Sequence, residues 1–330
     1  MKNLFKFLRM PEWYDSKVPM LLSVYLFFFI MEPEQYSFSS FVSYFFAYWL
    51  FLFMFLAFGY VINDFSDIEA DKAAGKTKVI FNIRPIVVII SLIAMVVLGN
   101  IPILLITGFS ISSVVVIAVI YFFGAAYSIK FLRFKEKGIL GLIECSVAQK
   151  CLPLLILFFI VEVNILYFVA WILLMFLNGL RYILIHQLID YENDIKTGIK
   201  TFLSSNMRRI DYSIYIALII EIVCILFLFH TLILNPLGIS LILLYIIYEC
   251  IIFVVIEKHS QKKYFLSYEA VPLEAFFNIF LPLTLLVAIG INVPYAFILL
   301  TAMFLYILRA LNIKTIPIRW FIKFKLKRLN

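Results

Sequence analysis

The residues best suited to chemistry are two groups of carboxylates. The first lies in GYVINDFSDIEADKAAGKTKVI, where Asp64, Asp67 and Asp71 follow one another at intervals of three and four and Asn63 stands four before Asp67. The second lies in RYILIHQLIDYENDIKTGIKTF, where Asp190 and Asp194 are four apart. If helical backbone runs through each stretch, each set shares one face. Like charges held that close are destabilising unless a cation or proton comes between them. Hard oxygen donors, with no cysteine nearby and no suitably spaced histidine, favour Mg2+, which keeps several waters and binds phosphate oxygens as well.

Basic residues follow both groups. Lys72, Lys76 and Lys78 come after the first, Lys196 and Lys200 after the second. Between them, AYSIKFLRFKEKGILG supplies Lys130, Arg133 and Lys135. A diphosphate bridged by Mg2+ to two carboxylate faces and gripped by Lys and Arg would be neutralised as it leaves. The adjoining sequence is dense in Phe, Tyr, Leu and Ile, which suits a long hydrocarbon. The combination describes a site for an isoprenoid diphosphate at the edge of a membrane.

The elements that must position these groups are set by composition. The 330 residues are 65% hydrophobic and 15% charged, with a mean hydropathy of +1.05. Soluble domains are about 45–50% apolar and about 25% charged, and disorder needs low hydrophobicity, so both classes are excluded. Apolar windows of about 20 residues, the length that spans a bilayer, fall near 16–33, 39–62, 85–106, 111–129, 139–160, 164–189, 212–230, 236–256, 270–290 and 294–312. All but three of the 28 basic residues lie before or at the very start of the first window, in alternate loops, or in the tail. Under the positive-inside rule this places both termini and both Asp motifs in the cytoplasm. The net charge of +8 is then topological and does not point to nucleic acid. The N-terminal MKNLFKFLRMPEWYDSK has no small-residue cleavage site before the first apolar run and is read as retained. The expected fold is all-α, a polytopic transmembrane bundle of nine to ten spans forming a single domain over 1–330. It carries two Asp-rich cytoplasmic helix ends four helices apart, which suggests two similar halves.

The remaining basic residues, Lys150, Arg181 and Arg309, fall within spans. Arg309 is near a cytoplasmic end and can snorkel. Lys150 and Arg181 are deeper, with Glu144, Glu221, Glu249 and Glu274 as available partners, and structural pairing and substrate contact are both open for them. Cys145, Cys151, Cys224 and Cys250 all sit in apolar segments and read as packing residues.

At these motifs the sequence resembles the UbiA family of intramembrane prenyltransferases. The family's NDxxDxxxD stands as Asn63, Asp64, Asp67 and Asp71, and its DxxxD as Asp190 and Asp194. IKTGIKT looks like the continuation DxKxGxK[ST], and YSIKFLRFKEKGILG is similar to YSxxxLRxKxxGxxG. LRMPEWYDSK is a looser match to the basic, Trp-containing approach to the family's first helix. The resemblance is strongest over about residues 9–260. It implies Mg2+-dependent transfer of a prenyl group from a polyprenyl diphosphate to an acceptor, in a membrane such as the cell inner membrane. Carried over by motif, Asp64, Asp67, Asp190 and Asp194 would hold two Mg2+ ions against the diphosphate, with Asn63 and Asp71 supporting the first. Lys76, Lys78, Arg133, Lys135 and Lys196 would grip phosphate oxygens, and Tyr127 would add a hydroxyl. Arg181 and His186 are possible acceptor-side residues, with a helix-packing hydrogen bond the alternative for His186. The sequence departs from the family in its displaced Arg84-Pro85 pair and in a tenth window where members have nine spans.

The acceptor expected is a small aromatic such as a hydroxybenzoate-like ring, with a sugar phosphate or glycerol phosphate lipid as the alternative. Among other classes, CDP-alcohol phosphotransferases need an Asp-Gly-x-x-Ala-Arg run that the chain lacks. An ion-coupled transporter would carry carboxylates near the bilayer midplane, whereas both Asp groups fall at predicted helix ends.

Overall fold

A computed structural model describes residues 2–32, 36–73, 75–197, 202, 210–230, 236–259 and 273–292, and every regular element among them is helical. The chain divides into two compact units, Met1–Leu228 and Phe229–Asn330.

The first unit begins with a short α1 (Lys2–Phe7), followed by α2 (Met10–Met31), α3 (Phe38–Ser66), α4 (Ile68–Ala73), α5 (Pro85–Ile106), α6 (Ile111–Ala126), α7 (Ile139–Ser146), α8 (Ile165–Thr197) and α9 (Ile210–Phe229). Apolar runs this long become helices because in lipid each backbone polar group must be satisfied within its own segment. Their ends are set by local chemistry. Ser37 and Ser110 cap α3 and α6, accepting from the amides of Ser40 and Ser113 at 3.1 and 3.3 Å. Pro85 opens α5 at a position where no amide hydrogen is needed. The first helix window proves too short at its start, since α2 begins at Met10 and carries Pro19 inside it.

Five segments are long and apolar enough to cross a membrane: Met10–Met31, Phe38–Ser66, Pro85–Ile106, Ile139–Phe159 and Ile165–Leu188. Shorter apolar helices at Ile111–Ala126, Ser213–Phe229, Ile239–Ile251 and Phe276–Ile289 fall on four further windows. The last window, 294–312, lies outside the described residues. Along α5, Ile86, Ile90, Ile93, Val97, Leu98 and Leu105 are exposed. A face of that size and composition suits hydrocarbon rather than water.

Two segments depart from the uniform helices expected. The first Asp motif does not continue one helix: α3 ends at Ser66, Asp67 is its C-cap with ψ near 5°, and α4 restarts at Ile68. The 139–160 window is α-helical only to Ser146, then turns π over Val147–Cys151 and 3-10 over Leu152–Phe159. Pro153 accounts for this, because it has no amide hydrogen and its ring crowds the carbonyl four residues back, at Gln149. The widened turn sends Gln149 and Lys150 to polar partners on other helices.

In the second unit, α10 (Pro236–His259) precedes a π turn over Phe276–Phe280 that leads into α11 (Leu281–Asn292). Tyr245 packs against Phe276 and Phe280 at ring distances of 5.3 and 5.5 Å.

Candidate functional site

The break at Asp67 shapes the site. Because α3 stops there, the carboxylates of the first motif separate into two arms. Asp64, buried on the last turn of α3, and Asp71, buried on α4, converge on the Lys78 ammonium at 2.5 and 2.6 Å. Lys76 adds a second bond to Asp71 at 2.9 Å, and Arg9 reaches Asp64 at 2.9 Å. Arg9 sits in the left-handed region at φ 50° before α2, also pairs with Glu12, and lies 5.0 Å over the Tyr60 ring.

The other arm faces the loop after α6. The Lys135 ammonium donates to Asp67 Oδ1 at 2.5 Å, and Arg133 Nη2 stands 3.5 Å from the same oxygen. Lys135 also reaches Asn63 Oδ1 at 3.4 Å, which accepts from the Ser128 hydroxyl at 2.9 Å. The loop is held against the start of α7 by Gly141. A Cβ there would stand 2.4 Å from the Phe134 carbonyl oxygen and 3.2 Å from Lys135 Cα. Gly141→Ala is therefore expected to push the Lys135 loop away. The cost should be about 1–3 kcal/mol, as for other overpacked sites, seen as a lower thermal midpoint in detergent.

The charges are mutually dependent. Partial burial alone would raise the Asp71 carboxyl, but bonds to Lys78 and Lys76 outweigh it and hold the group below its ordinary value of 3.8. Partial burial alone would likewise lower the Lys78 ammonium, and Asp64 and Asp71 outweigh that and raise it. The depressed carboxyl contributes stability that is fully present above its unfolded value and lost only as pH falls below that through the folded one. Lys78→Met is expected to shift the acid unfolding midpoint of the full chain upward, because Asp71 loses one of the two cations that hold it charged. An unchanged midpoint would count against the pairing.

The arrangement fits a divalent cation. Two carboxylates on successive helical segments meet at one positive charge, the Lys78 ammonium, and present hard oxygens only. Among the described residues no cluster of three or more His, Cys, Asp or Glu forms a metal-holding group.

Other expected residues fall elsewhere. Asp190, Asp194 and Lys196 lie on helical backbone in α8, and their side chains lie outside the described residues. Tyr127 is the C-cap of α6, and His186 is exposed on α8. Arg181 is fully buried and makes a two-pronged contact with Glu221 of α9 at 2.7 and 2.9 Å. Asn178 Nδ2 donates to the same carboxylate at 3.4 Å, and Asn178 Oδ1 accepts from Lys150 at 2.7 Å. The candidate site residues named from the sequence left out Arg9, Lys17, Ser128 and Gln149. Lys17 donates to the Tyr60 hydroxyl at 3.0 Å and also bonds Gln149. Basic residues before a first span have a topological explanation, and the match at LRMPEWYDSK is the sequence signal that Arg9 does more.

The family model of the UbiA prenyltransferase family matches residues 20–278. Two matching structures are of a UbiA homolog from Archaeoglobus fulgidus. The one bound to DMAPP and Mg2+ has 19% identity over 87% of this chain and 98% of that one, with a TM-score of 0.57. The one bound to GPP and Mg2+ has 18% identity, the same coverage and a TM-score of 0.56. A structure of a digeranylgeranylglyceryl phosphate synthase is similar at 18% identity, covering 88% of this chain and 98% of that one, with a TM-score of 0.56. At such identities these likenesses speak for the fold. No curated protein matches the chain.

Proposed function

The chain belongs to the UbiA prenyltransferase family, and on that premise we propose that it transfers a prenyl group from a polyprenyl diphosphate to a small aromatic acceptor of the hydroxybenzoate kind. The observation that carries this reading is the convergence of Asp64 and Asp71 on one cation, beside an Asp67 held by Lys135. The same juxtaposition of carboxylates and ammonium groups suits a metal-bridged diphosphate. Asp64 and Asp67, supported by Asn63 and Asp71, would hold one Mg2+, and Asp190 and Asp194 a second. Mg2+ supplies positive charge at the phosphate oxygens as they depart.

The chain's own residues do the rest. Lys76, Lys78, Arg133 and Lys135, with Lys196 from α8, bind the diphosphate and stabilise the negative charge that builds when the allylic C–O bond breaks. Phe58, Phe55 and Phe51 climb α3 from the Asp64 end as a buried aromatic wall, suited to lie beside a hydrocarbon. Arg181 and His186 remain candidates on the acceptor side. The Asp motifs and both termini would face the cytoplasm, in a single domain of nine or ten spans.

The test is turnover. Full-length protein would be given labelled geranyl, farnesyl or geranylgeranyl diphosphate, Mg2+, and either 4-hydroxybenzoate or a glycerol phosphate lipid. The lipid is included because one matching structure is of a digeranylgeranylglyceryl phosphate synthase. Mg2+-dependent diphosphate release with a prenylated product supports the reading, and the productive acceptor decides between the two. Ion flux into proteoliposomes without turnover would favour a transporter instead.

A further inference from the structure

Glu144 stands apart from the ionic network of the donor site. It lies on α7 and is only 7% exposed, yet neither carboxylate oxygen has a hydrogen-bond partner among the described residues. Burying a carboxylate without hydrogen bonds is costly, so such a group calls for an explanation, of which a catalytic role is one.

Its surroundings point to the donor site. Gly141, which docks α7 on the Lys135 loop, is three residues before Glu144 and on the same helix face. The rise along the axis between them is about 4.5 Å. Cys145 is the next residue along α7. Cys145 accepts from Gln149 Nε2 at 3.1 Å, Gln149 bonds Lys17, and Lys17 donates to the Tyr60 hydroxyl at 3.0 Å. Arg9 lies over the Tyr60 ring and bonds Asp64. A polar path thus runs from Asp64 into the neighbourhood of Glu144, through helices that are otherwise apolar.

We propose that Glu144 holds the acceptor by its hydroxyl and takes the proton which the acceptor loses, so that the acceptor class is a hydroxyl compound, phenol or alcohol. This rests on the prenyltransferase reading. In the step, the allylic C–O bond breaks with its electron pair leaving on the diphosphate, and the acceptor supplies the pair for the new bond to that carbon. With an alcohol the bond forms at oxygen. With a phenol it forms at a ring carbon, whose own hydrogen then restores the hydroxyl. Either way one proton leaves the acceptor, and a Glu144 oxygen receives it.

Two measurements on the full-length protein test this. Dicyclohexylcarbodiimide, which attacks protonated carboxyl groups lining apolar cavities, should label Glu144 in protein held at mildly acidic pH, as located by peptide mass spectrometry, and E144Q should abolish that adduct. E144Q should also lower transfer to 4-hydroxybenzoate or to a glycerol phosphate lipid by about 100-fold or more. E144D should recover at least about tenfold of the loss. Mg2+-dependent binding of geranylgeranyl diphosphate and the thermal midpoint should stay at wild-type values in E144Q. A Glu144 that takes no label sits in a sealed core and overturns the proposal. So does an E144Q protein that transfers within about threefold of wild type, or one that loses donor binding as much as transfer. A wild-type chain that binds no prenyl diphosphate would overturn the donor reading instead, and the labelling would then still report on Glu144 by itself.

Discussion

Asp64→Asn is expected to lower Mg2+-dependent prenyl transfer by about 10²–10³-fold or more, the scale on which a single preorganised electrostatic contact acts. The substitution keeps the shape of the side chain and removes its charge. Asp64 is 4% exposed and, among the described residues, is the one carboxylate on which both Lys78 and Arg9 close. Without its charge, two cations from different parts of the chain lose the carboxylate they share, leaving Lys78 with Asp71 and Arg9 with Glu12. A divalent ion entering there would meet fewer hard oxygens and more positive charge, so the Mg2+ concentration for half activity should rise along with the fall in kcat. Lys76→Ala is the comparison. Lys76 is largely exposed and only seconds Lys78 at Asp71, so its loss should cost about tenfold or less. Diphosphate release measured across a Mg2+ titration checks both variants. An Asp64→Asn protein within about threefold of wild type would remove the first carboxylate arm from the site.

The contrast between these residues shows what sequence could and could not convey. The carboxylates, the loop lysines and the helical class were legible because each rests on local spacing or on composition. The division of the first motif into two arms was not. Intervals of three and four fit one continuous helix face as well as a helix broken at Asp67, and only the packing of α4 and the Lys135 loop decides between them. Arg9 was hidden for a similar reason. A basic residue before a first span has a topological explanation already, and its bond to Asp64 links positions 55 apart in the chain. Pro153 could have warned of the irregular helix at 147–159, since a proline inside a helix removes one backbone bond. Whether that irregularity would be a kink or a π turn depends on which neighbours, here Asn178 and Lys17, are available to Lys150 and Gln149. Glu144 stands in the sequence only as an available ion-pair partner, and its lack of hydrogen bonds among the described residues is visible only once the helices are packed.

Arg181→Ala should destabilise the protein by about 3–5 kcal/mol, the usual result of removing one partner of a buried ion pair. The guanidinium and the Glu221 carboxylate are both fully buried and joined by two bonds, so the substitution strands a carboxylate. The stranded charge, rather than the lost attraction, is the larger cost, because taking two charges out of water roughly cancels what they gain from each other. It follows that Arg181→Met combined with Glu221→Leu, which removes both charges and keeps the volume, should recover most of the lost stability. The pair of variants also separates the two roles open for Arg181. If the ion pair serves only to join α8 to α9, the double variant regains the thermal midpoint in detergent and prenyl transfer together. If Arg181 also meets the acceptor, the double variant regains the midpoint, yet its KM for the acceptor stays high while that for the prenyl diphosphate returns to normal. A double variant no more stable than Arg181→Ala would show instead that the pair is held by neighbours such as Asn178 whose hydrogen bonds need it charged.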